Sequence, residues 1–335
     1  MRVFVCRRLP ESALAVLTDA FGEREVAVYP EDRVIPREDL LAAVRGVEAL
    51  LPILTDRMDA EVMDAAGPQL KIIANYAVGF DNLDVPAATA RGIAVTNTPD
   101  VLTETTADLA WALMMAAARR IGEGERYLRA GRWKSWAPML LLGVDVYRKT
   151  LGVFGMGRIG QAVARRAGAF GMRVLYHDTA PLPPDAEAAL GATFVDKTTL
   201  LRESDFISIH CPLTPETRHA FAAPEFHAMK ATAVLVNTAR GPVVDEAALA
   251  DALRHGEIFA AGLDVFEREP AVHPDLAGCE NAVLIPHLGS ATAETRARMA
   301  EIAAANIIAR LRGEIPPNCV NPEALSAQAC RTTRK

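Results

Sequence analysis

The chain has 335 residues, of which half are hydrophobic and 23% are charged, as in ordinary globular proteins. Because a single domain usually holds about 100–200 residues, this length predicts two domains. The net charge of −6 argues against nucleic acid or an anionic membrane as the main partner, since both attract an excess of Lys and Arg. Arg7 and Arg8 interrupt the first apolar run, and the longest runs reach only about half the length of a bilayer-spanning helix. Neither a signal peptide nor a membrane span is therefore expected.

The cysteines favour a reducing compartment. There are five, scattered along the chain without C-x-x-C spacing: Cys6, Cys211, Cys279, Cys319 and Cys330. Reduced thiols in a cytoplasmic protein account for this pattern best, and no metal site is expected.

Short apolar runs typical of strands alternate with helical patterns such as Glu11–Phe21 and Pro36–Val44. Two sets of strands are predicted: Val3–Cys6, Ala49–Leu54, Lys71–Ala74 and Ile93–Thr96, then Thr150–Phe154, Arg173–Tyr176, Phe206–His210, Ala233–Asn237, Ala260–Asp264 and Ala282–Ile285. Strands that are apolar without strict alternation are typical of parallel sheets covered by helices on both faces. The predicted fold class is therefore α/β, with two doubly wound parallel-sheet domains and a cleft between them.

A long helix is predicted between the two sets, from about Thr103 to Ile121, with Asp100 or Thr103 as its cap. Its centre, Ala107–Ala118, is apolar nearly all round, which predicts burial either between domains or against a second subunit. The following segment, Gly122–Tyr147, has weak periodicity and is interpreted as an extended arm. A second long helix is predicted over Ala291–Leu311.

The first motif that carries chemistry is a glycine-rich turn after the predicted strand Thr150–Phe154. Gly155, Gly157 and Gly160 form G-x-G-x-x-G at the opening of a helix. Such glycines allow a tight turn, the approach of backbone amides to a pyrophosphate, and close packing of helix on strand, while the helix N-terminus favours negative charge. S-adenosylmethionine methyltransferases use a similar turn, so this motif alone leaves that class open.

Asp178 ends the next predicted strand, about 20 residues after the turn, where a carboxylate can accept both ribose hydroxyls of an adenosine. A carboxylate there would repel the 2′-phosphate of NADP, and Thr179-Ala180-Pro181 offer no Arg to bind one. The sequence therefore predicts NAD(H) as the preferred cofactor, with NADP(H) less favoured.

Three further candidates follow strands of the second set. Hydride transfer to a 2-keto acid needs a cation for the substrate carboxylate, a proton donor for the oxygen, and a carboxylate that orients the donor. Arg240, His287 and Glu269 supply one of each near the ends of predicted strands, where open α/β sheets bind ligands. Each alone would fit a solvated or structural role, so the hypothesis rests on their joint placement after a dinucleotide motif.

The chain resembles the D-isomer-specific 2-hydroxyacid dehydrogenases, within them the glyoxylate reductase and hydroxypyruvate reductase branch. The resemblance extends from Val3 to about Pro322 and is carried by motifs such as NYAVGFDNLDV, GMGRIGQAVARRA, LVNTARGPVVDE, GLDVFEREP and PHLGSAT. Agreement over such long motifs disfavours the methyltransferase interpretation. Similar glyoxylate reductases can carry Arg after the second strand, where this chain has Asp178-Thr179, so the resemblance supports the fold more firmly than any use of NADP.

The resemblance implies roles for residues at matching positions. Arg240 would bind the substrate carboxylate, His287 would be the acid/base, and Glu269 would pair with His287. The backbone amides of Val78 and Gly79 would also bind the carboxylate, and Asp264 would lie near the nicotinamide. Further residues would line the cofactor site: Thr106, Arg158, Ile159, Pro212, Thr217, Thr238, Ala239 and Gly289.

The resemblance also implies how the domains divide. Residues 1–99 plus 287–335 would form a discontinuous substrate-binding domain, and residues 100–286 an NAD-binding domain. The helix and arm over 103–147 would form a homodimer interface.

The function predicted is NADH-dependent reduction of a small 2-keto acid, most simply glyoxylate or hydroxypyruvate. Other substrates of the family remain open, among them D-lactate, D-glycerate, D-3-phosphoglycerate and phosphite. The short C-terminus leaves no room for a regulatory domain of the phosphoglycerate type, and Glu269 disfavours formate because a formate-specific enzyme would carry Gln there. A non-catalytic NAD(H)-sensing protein is the alternative from another class, since this fold also serves transcriptional corepressors.

Overall fold

A computed structural model describes residues 1–325 of the chain. The chain divides into two compact units: among the described residues, unit 1 comprises Met1–Leu102 and residues 291–325, and unit 2 comprises Thr103–Ser290. In chain order the elements are β1 Val3–Val5, α1 Glu11–Phe21, β2 Val26–Val28, α2 Arg37–Ala43, β3 Ala49–Leu51, α3 Ala60–Ala66, β4 Ile72–Ala74, α4 Val85–Arg91, β5 Ala94–Thr96, α5 Thr103–Ala118, α6 Ile121–Arg129, β6 Thr150–Phe154, α7 Arg158–Ala167, β7 Arg173–His177, α8 Pro184–Leu190, β8 Ala192–Phe194, α9 Lys197–Glu203, β9 Phe206–Ile209, α10 Ala223–Ala228, β10 Val234–Asn237, α11 Glu246–His255, β11 Ala260–Leu263, α12 Pro274–Ala277, β12 Ala282–Leu284 and α13 Ala293–Leu311.

Unit 1 is built on a five-stranded sheet in the order β2-β1-β3-β4-β5, and every strand pair in it is parallel. Both faces of the sheet are buried, because Phe4 of β1 joins one apolar core while its neighbours Val3 and Val5 join the other. The order reverses between β1 and β3, so the loops after these strands diverge and leave a site for ligands at the carboxyl edge of the sheet.

Unit 2 is built on a seven-stranded parallel sheet in the order β12-β11-β10-β9-β6-β7-β8. Leu235 of β10 packs into one core and its neighbours Val234 and Val236 pack into the other, which is why these strands are apolar without alternation. The order reverses between β6 and β9, the usual place for a dinucleotide in such a sheet. The prediction of two doubly wound parallel sheets is confirmed.

The predicted long helix begins at Thr103 and ends at Ala118 as α5, and its apolar side chains pack against β10, β11 and α7 of its own unit. Trp111 anchors it: its indole nitrogen donates to the carbonyl of Val163 at 3.0 Å, and its ring stacks on Phe170. Burial is therefore explained within unit 2. The few polar residues of α5 lie on a solvent-exposed side of the helix, where Glu104 and Asp108 form ion pairs with Arg166.

Three details of the sequence prediction are wrong. The arm predicted over Gly122–Tyr147 begins with a helix, α6 Ile121–Arg129, whose apolar residues are too few to produce a clear period in the sequence. Strands β2 and β8 were not expected. Each is a three-residue strand at the edge of its sheet, and both carry side chains that are only partly covered, so neither produces the continuous apolar run of a central strand.

Within residues 1–325, no helix is long and apolar enough to cross a membrane. The described cysteines are Cys6, Cys211, Cys279 and Cys319, and all are free thiols. Cys330 lies outside the described residues.

Candidate active site

The glycine turn follows β6 at the point where the order of strands in unit 2 reverses. Gly155 has φ +95°, and a Cβ on it would lie 2.5 Å from the backbone nitrogen of Cys211, which follows β9. A Cβ on Gly160 would lie 2.2 Å from the carbonyl oxygen of Gly155. Larger residues are therefore excluded at both positions, because the turn packs against the neighbouring strand end and against the first turn of α7.

Asp178 holds this turn in place. One of its carboxylate oxygens accepts from the backbone N–H of Met156 at 2.7 Å, and the other accepts from the N–H of Thr179 at 2.7 Å. The predicted acid is thus directly beside the predicted glycine turn. A carboxylate oxygen can accept more than one hydrogen bond, so this arrangement leaves capacity for a ligand hydroxyl.

The turn fits a dinucleotide. A Cβ on Gly157 would meet no atom within 4 Å, so protein packing does not explain why this position is glycine. The open space lies at the N-terminus of α7, where backbone N–H groups and the helix dipole favour a diphosphate. Arg158, beside it, is exposed, and Ile159 packs at the edge of the core.

The predicted residues after β9 and β10 are also ordered by hydrogen bonds. Thr217 donates to the carbonyl of Pro212 at 2.7 Å, which closes the loop after β9. Thr238 lies 3.5 Å from His210 Nδ1, and the N–H of Ala239 donates to Asn237. Burial lowers the pKa of His210 to about 3, so this ring is neutral and contacts Thr238 as an uncharged polar group.

Arg240 and Glu269 are carried by two loops that touch through their backbones. A Cβ on Gly241 would lie 1.9 Å from the carbonyl carbon of Phe266, so only glycine allows the loops to approach this closely. The Arg240 guanidinium donates to the carbonyl of Ala239 at 2.8 Å. Its positive charge also lowers the pKa of the Glu269 carboxyl group. The loop contact therefore places the cation and the carboxylate near each other.

His287 and Glu269 form a direct pair, with Nδ1 of the imidazole 2.9 Å from Oε2 of the carboxylate. About a quarter of each side chain is exposed. Since Nδ1 is engaged by Glu269, Nε2 is the nitrogen that remains for another molecule, and within residues 1–325 it has no hydrogen-bond partner. This geometry is the one that an acid/base histidine requires.

The pKa of Glu269 lies below its usual value. Burial alone would raise it, but the hydrogen bond and charge of His287, the N–H of Phe266 and the charge of Arg240 together outweigh burial. The carboxylate therefore stays ionised at neutral pH.

Asp264 and Thr106 hold the turn that carries His287, whose φ is +52°. The buried Asp264 carboxylate accepts from the backbone N–H groups of Leu288 and Gly289, and Thr106 donates to the carbonyl of Gly289 at 3.0 Å. Burial raises the pKa of Asp264, although its hydrogen bonds oppose this rise. All three predicted residues, Asp264, Thr106 and Gly289, thus meet at the turn of the histidine.

The predicted substrate loop lies in unit 1, after β4. The carbonyl of Val78 accepts from Asn97 Nδ2 at 2.8 Å, and the carbonyl of Gly79 accepts from Asn75 Nδ2 at 2.9 Å. Val78 and Gly79 are half-buried. Both residues of this loop were predicted from the sequence, but neither of the asparagines that hold it was.

Glu246 was also missed. This buried carboxylate accepts from the N–H of Glu267 at 2.6 Å and from the N–H of His273 at 3.1 Å, so it bridges the two ends of the loop that carries Glu269. A glutamate at the first position of a helix is usually an ordinary end-of-helix acid, and nothing in the local sequence separates the two roles. In the part of the chain that the structure describes, no cluster of His, Cys, Asp or Glu is arranged to hold a metal ion.

A dinucleotide turn with its acid and a histidine–glutamate pair beside an arginine, all in one doubly wound unit, define a nicotinamide-dependent oxidoreductase. Residues 111–289 match the family model of the D-isomer specific 2-hydroxyacid dehydrogenase NAD-binding domain. The chain is 54% identical over 330 residues to a glyoxylate reductase of Korarchaeum cryptofilum, covering 98% of each chain.

Solved structures support the same family assignment. A Thermus thermophilus protein is 51% identical, with a TM-score of 0.88 and coverage of 96% of this chain and 100% of that one. An NADPH-dependent glyoxylate/hydroxypyruvate reductase of Sinorhizobium meliloti, solved with NADP and malonate, is 36% identical, with a TM-score of 0.84 and coverage of 96% and 97%. The chain belongs to the D-isomer specific 2-hydroxyacid dehydrogenases, which are oxidoreductases that act on CH–OH groups and bind a pyridine nucleotide.

Proposed function

We propose that this protein reduces glyoxylate or hydroxypyruvate with NADH, using Arg240, Glu269 and His287. The observation that carries the proposal is the His287–Glu269 pair at 2.9 Å, which leaves Nε2 as the proton-donating atom and keeps a carboxylate behind it. Relatives about 50% identical over nearly the full chain are named glyoxylate reductases, which supports the choice of substrate.

The roles of the residues follow from their chemistry. The nicotinamide, when bound, supplies the hydride that reaches C2 of the keto acid. The Arg240 guanidinium binds the substrate carboxylate, and the amides of Val78 and Gly79 donate to the same group. His287 gives its proton to the oxygen on C2 as negative charge develops there, and Glu269 orients the ring and stabilises its protonated form. In this proposal unit 1 is the substrate-binding domain and unit 2 the cofactor-binding domain.

We propose NAD(H) as the preferred cofactor because Asp178 presents a carboxylate at the end of β7, beside the glycine turn. The similar Sinorhizobium meliloti enzyme uses NADPH, so the family accommodates both cofactors. Replacing Asp178 by Ser should narrow the preference for NADH over NADPH by about 5-fold or more, since removal of one repulsive charge near a phosphate changes binding by at least ~1 kcal/mol. Steady-state kcat/KM with each cofactor measures this, and an unchanged ratio would remove Asp178 from cofactor selection.

We also propose a homodimer formed through α6 and the arm that follows it. These residues expose large apolar side chains: Ile121, Leu128, Trp133, Trp136, Met139, Leu142 and Tyr147. Trp136 is 80% exposed and Met139 76% exposed, which is unusual for a monomer and typical of an interface. Sedimentation of the wild type against Trp136→Glu tests it: a dimer that the substitution converts to monomer supports the arm as the interface, and an unchanged oligomer excludes it.

The deciding experiment is a panel of initial rates with NADH and NADPH over glyoxylate, hydroxypyruvate, pyruvate and 3-phosphohydroxypyruvate, with phosphite and NAD⁺ in the oxidative direction. The proposal expects glyoxylate or hydroxypyruvate with NADH to give the highest kcat/KM. A higher value for pyruvate or for phosphite would transfer the assignment to another activity of the family. NADH binding without turnover on any substrate would favour a cofactor-sensing protein.

A further inference from the structure

We infer that Asn97 is a positioning residue that aims the Gly79 amide at the substrate carboxylate, and that Asn75 fixes the next peptide plane of the same loop, which carries the Phe80 amide. Asn97 acts through the Gly79 amide and does not itself touch the substrate. The inference deepens the proposed function, because it rests on the Gly79 amide being a carboxylate ligand. It starts from an unusual row of contacts: three successive carbonyls of the loop after β4 are each held by a different donor of unit 1.

The first carbonyl of the row, that of Ala77, accepts from the backbone N–H of Thr98 at 2.9 Å. The second, that of Val78, accepts from the side-chain amide of Asn97 at 2.8 Å. The third, that of Gly79, accepts from the side-chain amide of Asn75 at 2.9 Å. All three distances are those of well-formed N–H···O bonds.

Fixing a carbonyl fixes the amide on the other side of the same peptide plane. A trans peptide is planar, and its N–H points opposite to its C=O. The bonds to Ala77, Val78 and Gly79 therefore turn the N–H groups of Val78, Gly79 and Phe80 away from these donors. Within residues 1–325, none of these three N–H groups has a hydrogen-bond acceptor.

The donors themselves are rigidly supported. Asn75 is fully buried, and its side chain also pairs with Asn82, whose amide donates to the carbonyls of Ile53 at 3.1 Å and Asp56 at 3.0 Å. This pairing ties the loop after β4 to the loop after β3. Asn97 directly follows β5, so it moves only with the sheet.

The consequence is a row of backbone donors on a half-exposed loop that have no acceptor among the described residues. Backbone N–H groups in such a row bind anions, and a hydrogen bond to a charged acceptor is stronger than one to a neutral acceptor. Without the Asn97 amide the Val78–Gly79 peptide can rotate, which turns a carbonyl oxygen toward the place of the anion and replaces attraction by repulsion.

The test replaces Asn97 by Ala and by Asp, because this side chain is only half-buried and neither change buries an isolated charge. The KM for glyoxylate should rise about 10- to 100-fold, whereas kcat should change by less than about 3-fold. The rise should be similar for hydroxypyruvate and pyruvate, since the amides bind the carboxylate that all three share. The Kd for NADH, measured by fluorescence, should not change.

Asn281→Asp is the matched control. Asn281 lies in unit 2, and its side-chain amide also donates to two backbone carbonyls, those of Leu253 and Phe259. A merely structural role for Asn97 predicts that both variants lower the unfolding temperature and leave the KM alone. That result, or a rise in KM confined to one keto acid, would overturn the inference.

Calorimetric binding of oxalate to the NADH-saturated protein separates this inference from the proposed function, because it needs no turnover. If Arg240→Lys weakens oxalate binding and Asn97→Ala does not, the positioning role is wrong and the proposed function stands. If the wild type neither binds oxalate nor reduces any keto acid, the proposed function is wrong. Weaker oxalate binding in the Asn97 variants supports the positioning role.

Discussion

Units 1 and 2 are both parallel sheets with two buried faces, yet they present different chemistry at the carboxyl ends of their strands. Unit 2 presents ionisable side chains there: Arg240 after β10, Glu269 after β11 and His287 after β12. Unit 1 presents backbone N–H groups, on a loop whose carbonyls are held from behind by asparagine side chains.

The difference shows two ways of building a site for an anion. A charged side chain attracts an anion strongly, but its loop must hold it in place. In unit 2 the loops after β11 and β12 are held by hydrogen bonds of Glu246, Asp264 and Thr106. Backbone amides carry no net charge, and their direction is set by the groups that hold the carbonyl of the same peptide plane, here the side chains of Asn75 and Asn97. In the proposed function, unit 2 therefore supplies the proton donor, whereas the loop after β4 of unit 1 binds and orients the substrate carboxylate.

The largest expected effect comes from removing His287, the proposed proton donor. His287→Ala should lower kcat by about 10³-fold, because a positioned general acid contributes roughly 10²–10⁴. The KM should change by only a few-fold, since binding lies with Arg240 and unit 1. Steady-state rates with the best keto acid of the panel measure both.

His219→Ala is a close control for this variant. His219 lies in the same unit, has a similar φ of +51° and pairs with Glu267 at 3.1 Å, but it is not at the end of β12. We expect its turnover to stay within about 2-fold of the wild type. A His287 variant that turns over equally well would remove this residue from the acid/base role.

The next effect concerns the proposed role of Arg240 in binding the substrate carboxylate. Arg240→Lys keeps the charge but loses the planar, two-pronged donor, so the KM should rise by about 100-fold and kcat should also fall, as the carboxylate becomes misaligned. Arg254→Lys, an exposed pair with Asp251 on α11, is the control and should behave as the wild type. If the KM for every keto acid stays the same, the carboxylate is bound by unit 1 alone.

The fold was predictable because buried parallel strands leave long apolar runs in the sequence, and the side-chain part of the site was predictable for a related reason. Arg, Glu and His at successive strand ends of one sheet, together with a dinucleotide turn, match the needs of hydride transfer to a keto acid. The edge strands β2 and β8 were missed because they are short and only half covered.

The parts that hold the site were not predictable. Asn75 and Asn97 stand at strand ends, where asparagine is common in turns for local reasons, and only the third dimension shows which carbonyls their amides reach. The role of Glu246 could not be predicted for the same reason, because its hydrogen-bond partners lie 21 and 27 residues further along the chain. The repeated Asn in N-Y-A-V-G-F-D-N was the one available signal, since Asn75 and Asn82 pair with each other.

A smaller effect concerns pH. Glu269→Gln should move the alkaline limb of the reductive kcat/KM profile to lower pH, because the attraction between the Glu269 carboxylate and the charge of His287, which lowers the pKa of Glu269, is lost. The contribution of Glu269 to stability depends on pH in the opposite sense to that of a buried acid without a partner, whose pKa is raised. The folded-state pKa of Glu269 lies below its usual 4.5, so its contribution to stability is present above that pH and is lost as the pH falls through the lowered value.

Glu280→Gln, an exposed carboxylate of unit 2, is the control and should leave the profile in place. Rates measured from pH 5 to 9 with the same keto acid would show the shift. An unmoved alkaline limb in the Glu269 variant would mean that Glu269 only orients the ring.

The smallest expected effect is on the free energy of unfolding. It compares the loss of a hydrogen-bonded buried hydroxyl in unit 2 with the loss of a buried hydroxyl in unit 1 that lacks a partner among the described residues. Thr106 of unit 2 is buried and donates to the Gly289 carbonyl, whereas the buried hydroxyl of Thr98 in unit 1 has no hydrogen-bond partner among residues 1–325. Thr106→Val should lower the free energy of unfolding by about 1 kcal/mol and reduce kcat a few-fold, because the His287 turn loses a contact. Thr98→Val removes a hydroxyl that already lacks a partner, so it should be neutral or stabilising by up to about 1 kcal/mol. Denaturant unfolding of both variants measures the contrast, and equal losses would show that the Thr106 bond adds nothing beyond packing.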